Sequence, residues 1–278
     1  MTHPTSSYVG RLAPSPTGLL HLGHARTFWL AFHRARAVGG QLWLRDEDLD
    51  PQRSRPEFAA AMRDDLRWLG IHWHAELVQS QRLPFYRAAA ERLVAAGLAY
   101  PCLCSRKDLL AATQAPHEDT DEPVYTGRCR HHPTGPGFDP HQNYRLRVPD
   151  GEPIAFTDAH CGPQRFLSGC DATADFGDFL LWRKDGLPSY QLACVVDDAA
   201  MQITEVVRGA DLLRSTARQI LLQRALGLPT PSYYHCDLVR DEAGTRLAKR
   251  HDALSLRTLR ESGLTPDQIR ARFYSDSD

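Results

Sequence analysis

Arg11-Leu12-Ala13-Pro14-Ser15-Pro16-Thr17-Gly18, followed after two intervening residues by His21-Leu22-Gly23-His24, is the stretch on which the fold turns. Upstream lies a short apolar run, Tyr8 to Leu12. Downstream a helical period runs from Leu22 to Val38, stops at Gly39-Gly40, and gives way to a second short run, Gln41 to Arg45. Strand, helix, strand in that order predicts two parallel strands joined by a crossover helix, with ligands at their carboxyl ends beside the helix N-terminus. Backbone N–H groups and the positive end of the helix dipole favour an anion there. His21 and His24, three apart, share a helical face from which both can donate to phosphate oxygens. Gly23 lets a flat base or a ribose approach the backbone.

Working outward, Ser54 is expected to cap a helix carrying Phe58, Met62, Leu66 and Leu69 and closed by Gly70, and a further helix is expected over Phe85 to Ala96 before Gly97. Residues 113–143 are crowded with Pro, Gly, His and Asp, and the hydrophobic period disappears. Short strands are expected at Tyr144 to Val148, Ile154 to Thr157 and Phe179 to Arg183, the last turning at Asp185-Gly186. Residues 101–189 therefore read as an insertion between a first half, 1–100, and a second half, 190–278. That second half carries a strand at Ile203 to Arg208, a helix at Asp211 to Leu226 and a strand at Tyr233 to Arg240.

The chain has 278 residues, 42% hydrophobic and 24% charged, with a net charge of -1. These values exclude global disorder and repetitive fibrous architectures, and mean that any nucleic-acid contact must use a local basic face. Arg208, Arg214, Arg218, Arg224, Arg240, Arg246, Lys249, Arg250, Arg257 and Arg260 are the candidates for such phosphate contacts. Met1 to Ser7 lacks the basic and apolar regions of a signal peptide, and no apolar run approaches a membrane span, so a cytoplasmic protein without a membrane partner is expected. Seven cysteines are an odd number at low density. Cys102, Cys104 and Cys129 cluster around one loop and favour metal binding over a disulfide framework. Tyr125, His117, His131 and His132 compete for a fourth ligand position. Cys161, Cys170, Cys194 and Cys236 show no paired spacing and are expected to be buried.

The opening motif resembles the signature of class I glutamyl-tRNA synthetases and their shortened relatives. The resemblance continues through Leu44-Arg45-Asp46-Glu47-Asp48-Leu49-Asp50, Tyr190-Gln191-Leu192-Ala193, Val195-Val196-Asp197-Asp198 and Glu205 to Leu212. It ends at Arg246-Leu247-Ala248-Lys249-Arg250, where the family has its lysine loop. It covers essentially the whole chain, with departures at Asp46, usually apolar, and at Arg246 and Ala248. Only about thirty residues follow the lysine loop, where complete glutamyl-tRNA synthetases carry an anticodon-binding region. Cys102-Leu103-Cys104, Tyr125 and Cys129 resemble the zinc site of the glutamyl-Q tRNA(Asp) synthetase family.

The resemblance implies an α/β, Rossmann-like class I aminoacyl-tRNA synthetase catalytic domain with a zinc-bearing insertion. It implies a glutamate site formed by Arg11, Leu12, Ala13, Pro14, Ser15, Glu47, Tyr190 and Arg208, with Glu47 on the ammonium and the two arginines on the carboxylates in an order left open. ATP would be held by His21, Gly23, His24 and Lys249, with His21, His24 and Lys249 offsetting phosphate charge alongside Mg2+, and Lys249 swinging in on the flexible approach Asp241-Glu242-Ala243-Gly244. The implied reaction is activation of L-glutamate as an adenylate and its attachment to queuosine in tRNA(Asp). Two rival readings are another H-x-G-H enzyme acting on a small acid and a non-catalytic zinc-bearing RNA-binding protein.

Overall fold

The structure, a computed structural model, describes residues 8–104, 124–131, 137–171, 173–238 and 255–273. Val9–Leu12 (β1), Leu22–Ala37 (α1) and Gln41–Asp46 (β2) form the unit expected from the opening motif, with β1 and β2 parallel from Val9 beside Gln41 to Leu12 beside Leu44. The helix stops where Gly39 turns at φ 62°, and Gly40 then lets the chain pass close to Tyr8 into β2, since a Cβ there would stand 2.7 Å from the Tyr8 carbonyl oxygen. Pro56–Trp68 (α2) follows. Its N-cap is Arg55 rather than Ser54, since Pro56 at the first helical position sets the boundary one residue later than the serine suggests. Ala75–Val78 (β3) then adds to β2 in parallel, a strand the sequence pattern did not announce.

Leu83–Ala95 (α3) leads into Ala99–Cys102 (β4), which pairs antiparallel with Asn143–Leu146 (β5). Glu152–Asp158 (β6) and Gly162–Ser168 (β7) form a hairpin, the second strand again not foreseen, and Leu180–Trp182 (β8) closes the β4-β5-β8 sheet. Tyr190–Ala200 (α4) is a helix capped by the Ser189 side chain. Glu205–Gly209 (β9), Leu213–Leu226 (α5) and Ser232–Cys236 (β10) make a second parallel crossover, and Leu256–Glu261 (α6) and Pro266–Ala271 (α7) finish the described chain.

The two parallel units meet edge to edge. Thr204 N–H donates to the Val9 carbonyl at 2.8 Å, and Val9 N–H donates to Thr204 Oγ1 at 2.9 Å, so β1 lies beside β9. Glu205 adds a stitch, accepting from Tyr8 Oη at 2.8 Å and from Arg34 through Nε and Nη2. From β1 the chain crosses to β2, and from β9 it crosses away from β1 to β10. The gap between the carboxyl ends of β1 and β9 is thus the point at which strand order reverses, where open α/β sheets bind ligands.

One apolar cluster gathers Leu12, Phe28, Leu44, Leu66 and Ile269. A second joins Tyr86, Leu146, Leu181, Leu192 and Leu222. Each fully buried leucine contributes about 2 kcal/mol. Residues 144–182 share the second cluster with α3, α4 and α5, and β6 pairs with β10 at Asp158 beside Tyr233, so this stretch is packed into the body. Among the described residues no helix is long and apolar enough to cross a membrane.

Candidate functional site

A cavity of about 320 Å³ opens at the reversal point, lined by Ala13, Pro14 and Ser15 after β1, by His21, Gly23, His24, Thr27 and Phe28 of α1, by Glu47, Tyr190, Arg208 and Gly209, and by Asp211, Leu212, Asp237 and Leu238. Residues expected from four separate stretches of sequence therefore line one cavity. Leu12 does not reach it, being fully buried in the apolar cluster. Arg11 lies behind it: its Nη1 donates to the Val207 carbonyl at 2.9 Å, and its Nε stands 3.6 Å from Asp198. Lys249 lies outside the described residues, as do Arg240, Arg246, Arg250, His117 and His132.

His21 is the N-cap of α1, and the two histidines stack at 3.7 Å between ring centroids. His21 Nδ1 accepts from Gly23 N–H at 3.1 Å and His24 N–H at 3.4 Å, while His24 Nδ1 accepts from His21 N–H at 3.4 Å. This reciprocal cap corrects the expectation of free amides at that terminus, because two of them are met by His21. It also fixes the chemistry: with both Nδ1 atoms accepting, the proton of each neutral ring sits on Nε2, a donor for an oxyanion.

Beneath the cavity lies an ion network. Fully buried Arg45 donates from Nη1 to Asp198 Oδ1 at 2.5 Å and from Nη2 to Glu47 Oε1 at 3.0 Å. Cys194 Sγ donates to the same Glu47 oxygen at 3.6 Å. The Glu47 backbone N–H donates to the Pro14 carbonyl at 3.0 Å, clamping the β2 end against the motif after β1. Asp46 points elsewhere, to Arg63 Nη2 at 3.0 Å, and burial pushes its carboxyl up. Arg45, Asp198 and Cys194 were not singled out from sequence. The only local signal was that Arg45 and Asp198 lie in motifs matched for their neighbours.

Arg208 is nine-tenths buried. Its Nη2 donates to Thr216 Oγ1 at 2.6 Å and its Nε to His235 Nε2 at 3.2 Å, whereas Nη1 has no hydrogen-bond partner among the described residues. A Cβ on Gly209 would stand 2.5 Å from Asp211 Oδ1, so glycine lets that carboxylate lie close against the end of β9. Arg208 and Arg218 are both buried, which removes them from the surface phosphate contacts proposed above. Arg257 and Arg260 are exposed, and Arg224 is exposed and paired with Glu152.

A second constellation sits at the end of β4. The sulfurs of Cys102, Cys104 and Cys129 lie within 4.8 Å of one another. Tyr125 Oη is 3.7 Å from Cys102 Sγ and 3.6 Å from Cys104 Sγ, and Cys104 Sγ is 3.5 Å from Cys129 Sγ. Ligand bonds of about 2.0–2.3 Å in a tetrahedron give edges of roughly 3.5–3.8 Å, so these donors fit a four-coordinate metal ion. Arg145 Nε donates to Cys102 Sγ at 3.4 Å and its guanidinium lies 4.1 Å over the Tyr125 ring, a buried cation suited to an anionic ligand set. Burial pushes the Cys104 thiol up to about 11. His131, a rival ligand, is exposed and outside the cluster. Of the other cysteines, Cys194 and Cys236 are buried as expected, while Cys161 and Cys170 are only half-buried.

Residues 8–273 match the family described as tRNA synthetases class I (E and Q), catalytic domain. A glutamyl-Q tRNA(Asp) synthetase from Symbiobacterium thermophilum is 48% identical over 277 residues, covering 94% of this chain and 83% of that protein. One from Rhodobacter capsulatus is 44% identical and covers 94% of this chain and 98% of its own length. This chain belongs to the glutamyl-Q tRNA(Asp) synthetase family. Like the rest of that family it is an aminoacyl-tRNA synthetase-like ligase built on the class I catalytic domain. The crystal structure of a glutamate tRNA ligase from Elizabethkingia meningosepticum in complex with its amino acid superposes with a TM-score of 0.75 at 26% identity, over 93% of this chain. The chain spans about half of that enzyme, 54% of its length.

Proposed function

We propose that this protein activates L-glutamate with ATP and transfers it to queuosine in the anticodon loop of tRNA(Asp). The observation that carries the reading is Arg208, a buried guanidinium whose Nη1 has no partner among the described residues, lining the same cavity as Glu47, Tyr190 and the stacked His21–His24 pair. At and behind that wall, buried Arg11, Arg45 and Arg208 face Glu47 and buried Asp198, an excess of one positive charge within this ion network. Glutamate, net -1 at neutral pH, complements it. A carboxylate on Arg208, with Arg11 behind, and an ammonium on Glu47 would satisfy both ends of the amino acid.

The glutamate α-carboxylate attacks the α-phosphorus of ATP. A P–O bond forms, and pyrophosphate leaves with the electron pair of the bond it breaks. The Nε2–H donors of His21 and His24 meet the developing phosphate charge, with Lys249, assigned through the family motif, as a further cation. Magnesium accompanying ATP would supply additional charge compensation. A hydroxyl of the queuosine ring then attacks the activated carbonyl, AMP departs, and the hydroxyl proton passes to the leaving phosphate. No covalent enzyme intermediate is required.

Cys102, Cys104, Tyr125 and Cys129 would hold one structural zinc ion, which would tie the end of β4 to residues 125–129. Transfer of labelled glutamate to tRNA(Asp) with and without queuosine tests the acceptor: labelling of the modified tRNA alone is expected, and equal labelling of both would overturn it. Adenylate formation without any tRNA labelling would favour a small-acid ligase.

A further inference from the structure

Behind Arg208 lies a buried polar chain that substrate does not touch. His235, on β10, is fully buried and is held from both sides. Its Nδ1 lies 2.6 Å from Asp158 Oδ2 at the end of β6, and its Nε2 lies 3.2 Å from Arg208 Nε and 2.9 Å from Thr216 Oγ1 on α5. An arginine Nε always carries its proton, so the nitrogen facing it must accept. The imidazole proton therefore sits on Nδ1 and is donated to Asp158. Asp158 is built to take that role, because Oδ1 also receives the backbone N–H groups of His160 and Cys161 at 2.9 and 2.8 Å. Burial alone would raise the Asp158 carboxyl, but these donors and His235 hold it below its ordinary value.

We propose that Asp158, His235 and Thr216 form a positioning relay that locks the Arg208 guanidinium by Nε and Nη2, leaving Nη1 as the donor kept for the substrate carboxylate. This rests on the reading that Arg208 receives a carboxylate of glutamate. The chain joins three elements that meet only in the fold: Asp158 ends β6, His235 lies in the adjacent β10, and Thr216 lies in the crossover helix between β9 and β10. Thr216 Oγ1 accepts from Nη2 at 2.6 Å and, since Nε2 is bare, gives its one proton to Nε2 at 2.9 Å rather than to the Leu212 carbonyl at 3.2 Å, so the hydroxyl is itself oriented. Burial and the neighbouring Arg208 lower His235 to about 4, which keeps the imidazole neutral and accepting at physiological pH. A protonated ring would turn an N–H against Arg208 and release the guanidinium from its plane.

The test compares two substitutions at one position in the full chain. His235→Gln can place an amide oxygen near the Nε2 position and keep the acceptor, whereas His235→Leu fills similar space without one. In glutamate-dependent pyrophosphate exchange, the leucine variant should raise the glutamate KM by roughly 10- to 100-fold, the loss expected when a hydrogen bond to a charged group goes, and the glutamine variant by less than about threefold. The ATP KM and kcat at saturating glutamate should hold within about threefold in both. Equal glutamate KM values for the two variants would overturn the relay. Arg208→Lys, run alongside, tests the underlying reading: an unchanged glutamate KM there would sink the assignment of Arg208 itself, whereas a raised one with equal His235 variants sinks the relay alone. Nitrogen NMR of the native protein at neutral pH reads the tautomer directly. Protonated Nδ1 with bare Nε2 is expected, and the reverse would contradict the relay even where a variant fails to fold.

Discussion

Arg45 and Asp198, 153 positions apart and both buried, are joined at 2.5 Å between Nη1 and Oδ1, so the end of β2 and the body of α4 are fastened directly under the cavity. The same guanidinium holds Glu47. Removing one partner of a buried ion pair strands the other, at a cost of about 3–5 kcal/mol. Asp198→Ala should lose stability on that scale in chemical denaturation and weaken glutamate binding, because Arg45 then draws more strongly on Glu47. A variant with unchanged denaturation midpoint and glutamate KM would show that the pair holds nothing.

His21 has two duties that can be separated. His21→Asn retains a short acceptor at the N-cap of α1 but no donor at the position of Nε2, so its melting temperature should stay near that of the native protein while adenylate formation slows by roughly 100-fold. His21→Ala should lose the rate and about 1 kcal/mol of stability as well. Rapid-quench measurement of adenylate together with thermal melts checks both. Native rate in the asparagine variant would leave His21 as a cap only.

Chelation reports on the cysteine cluster. Protein stripped of zinc should melt at lower temperature and regain its stability on adding back one equivalent, and Cys104→Ser should carry less metal per chain. Full stoichiometry in the serine variant, measured by atomic absorption, would remove Cys104 from the ligand set.

Asp65 on α2 is buried, and Oδ2 has no hydrogen-bond partner among the described residues. Burial raises its carboxyl from 3.8 to about 6, against the pull of Arg257 and Arg260. A carboxyl raised in the folded state binds its proton more tightly there than in the unfolded chain. Its favourable contribution is therefore complete below about pH 4 and is lost as the pH climbs through 6. Asp65→Asn should accordingly match the native protein near pH 4 and exceed it above pH 6, by on the order of 2 kcal/mol. A stability difference that does not change across that range would contradict the assignment.

The first crossover was legible because its signals are local: a short, partly apolar run in β1, a helical period, and paired glycines at the stop. Elements whose reasons are distant were not. The strand β7 opens on Gly162-Pro163 and owes its existence to pairing with β6, and β3 is four residues long and stands on β2. The helix α4 carries Asp197 and Asp198, which look like a solvent face but are buried against Arg82 and Arg45. The same holds in the site. Glu47, Tyr190 and Arg208 stand in recognisable motifs and converge, whereas Leu12, equally in the motif, turns into the core. His235 is a lone histidine in a strand. Its meaning comes only from Asp158 and Arg208, brought to it by the sheet.

The central claim is that this cavity selects glutamate and joins it to a nucleotide. Exchange of labelled pyrophosphate into ATP by zinc-replete protein, with glutamate, aspartate and glutamine supplied in turn, tests it most directly. The account predicts exchange with glutamate and little with the other two, since aspartate falls a methylene short and glutamine lacks the charge that balances the buried arginines. Absence of exchange, or equal exchange with all three, would contradict it.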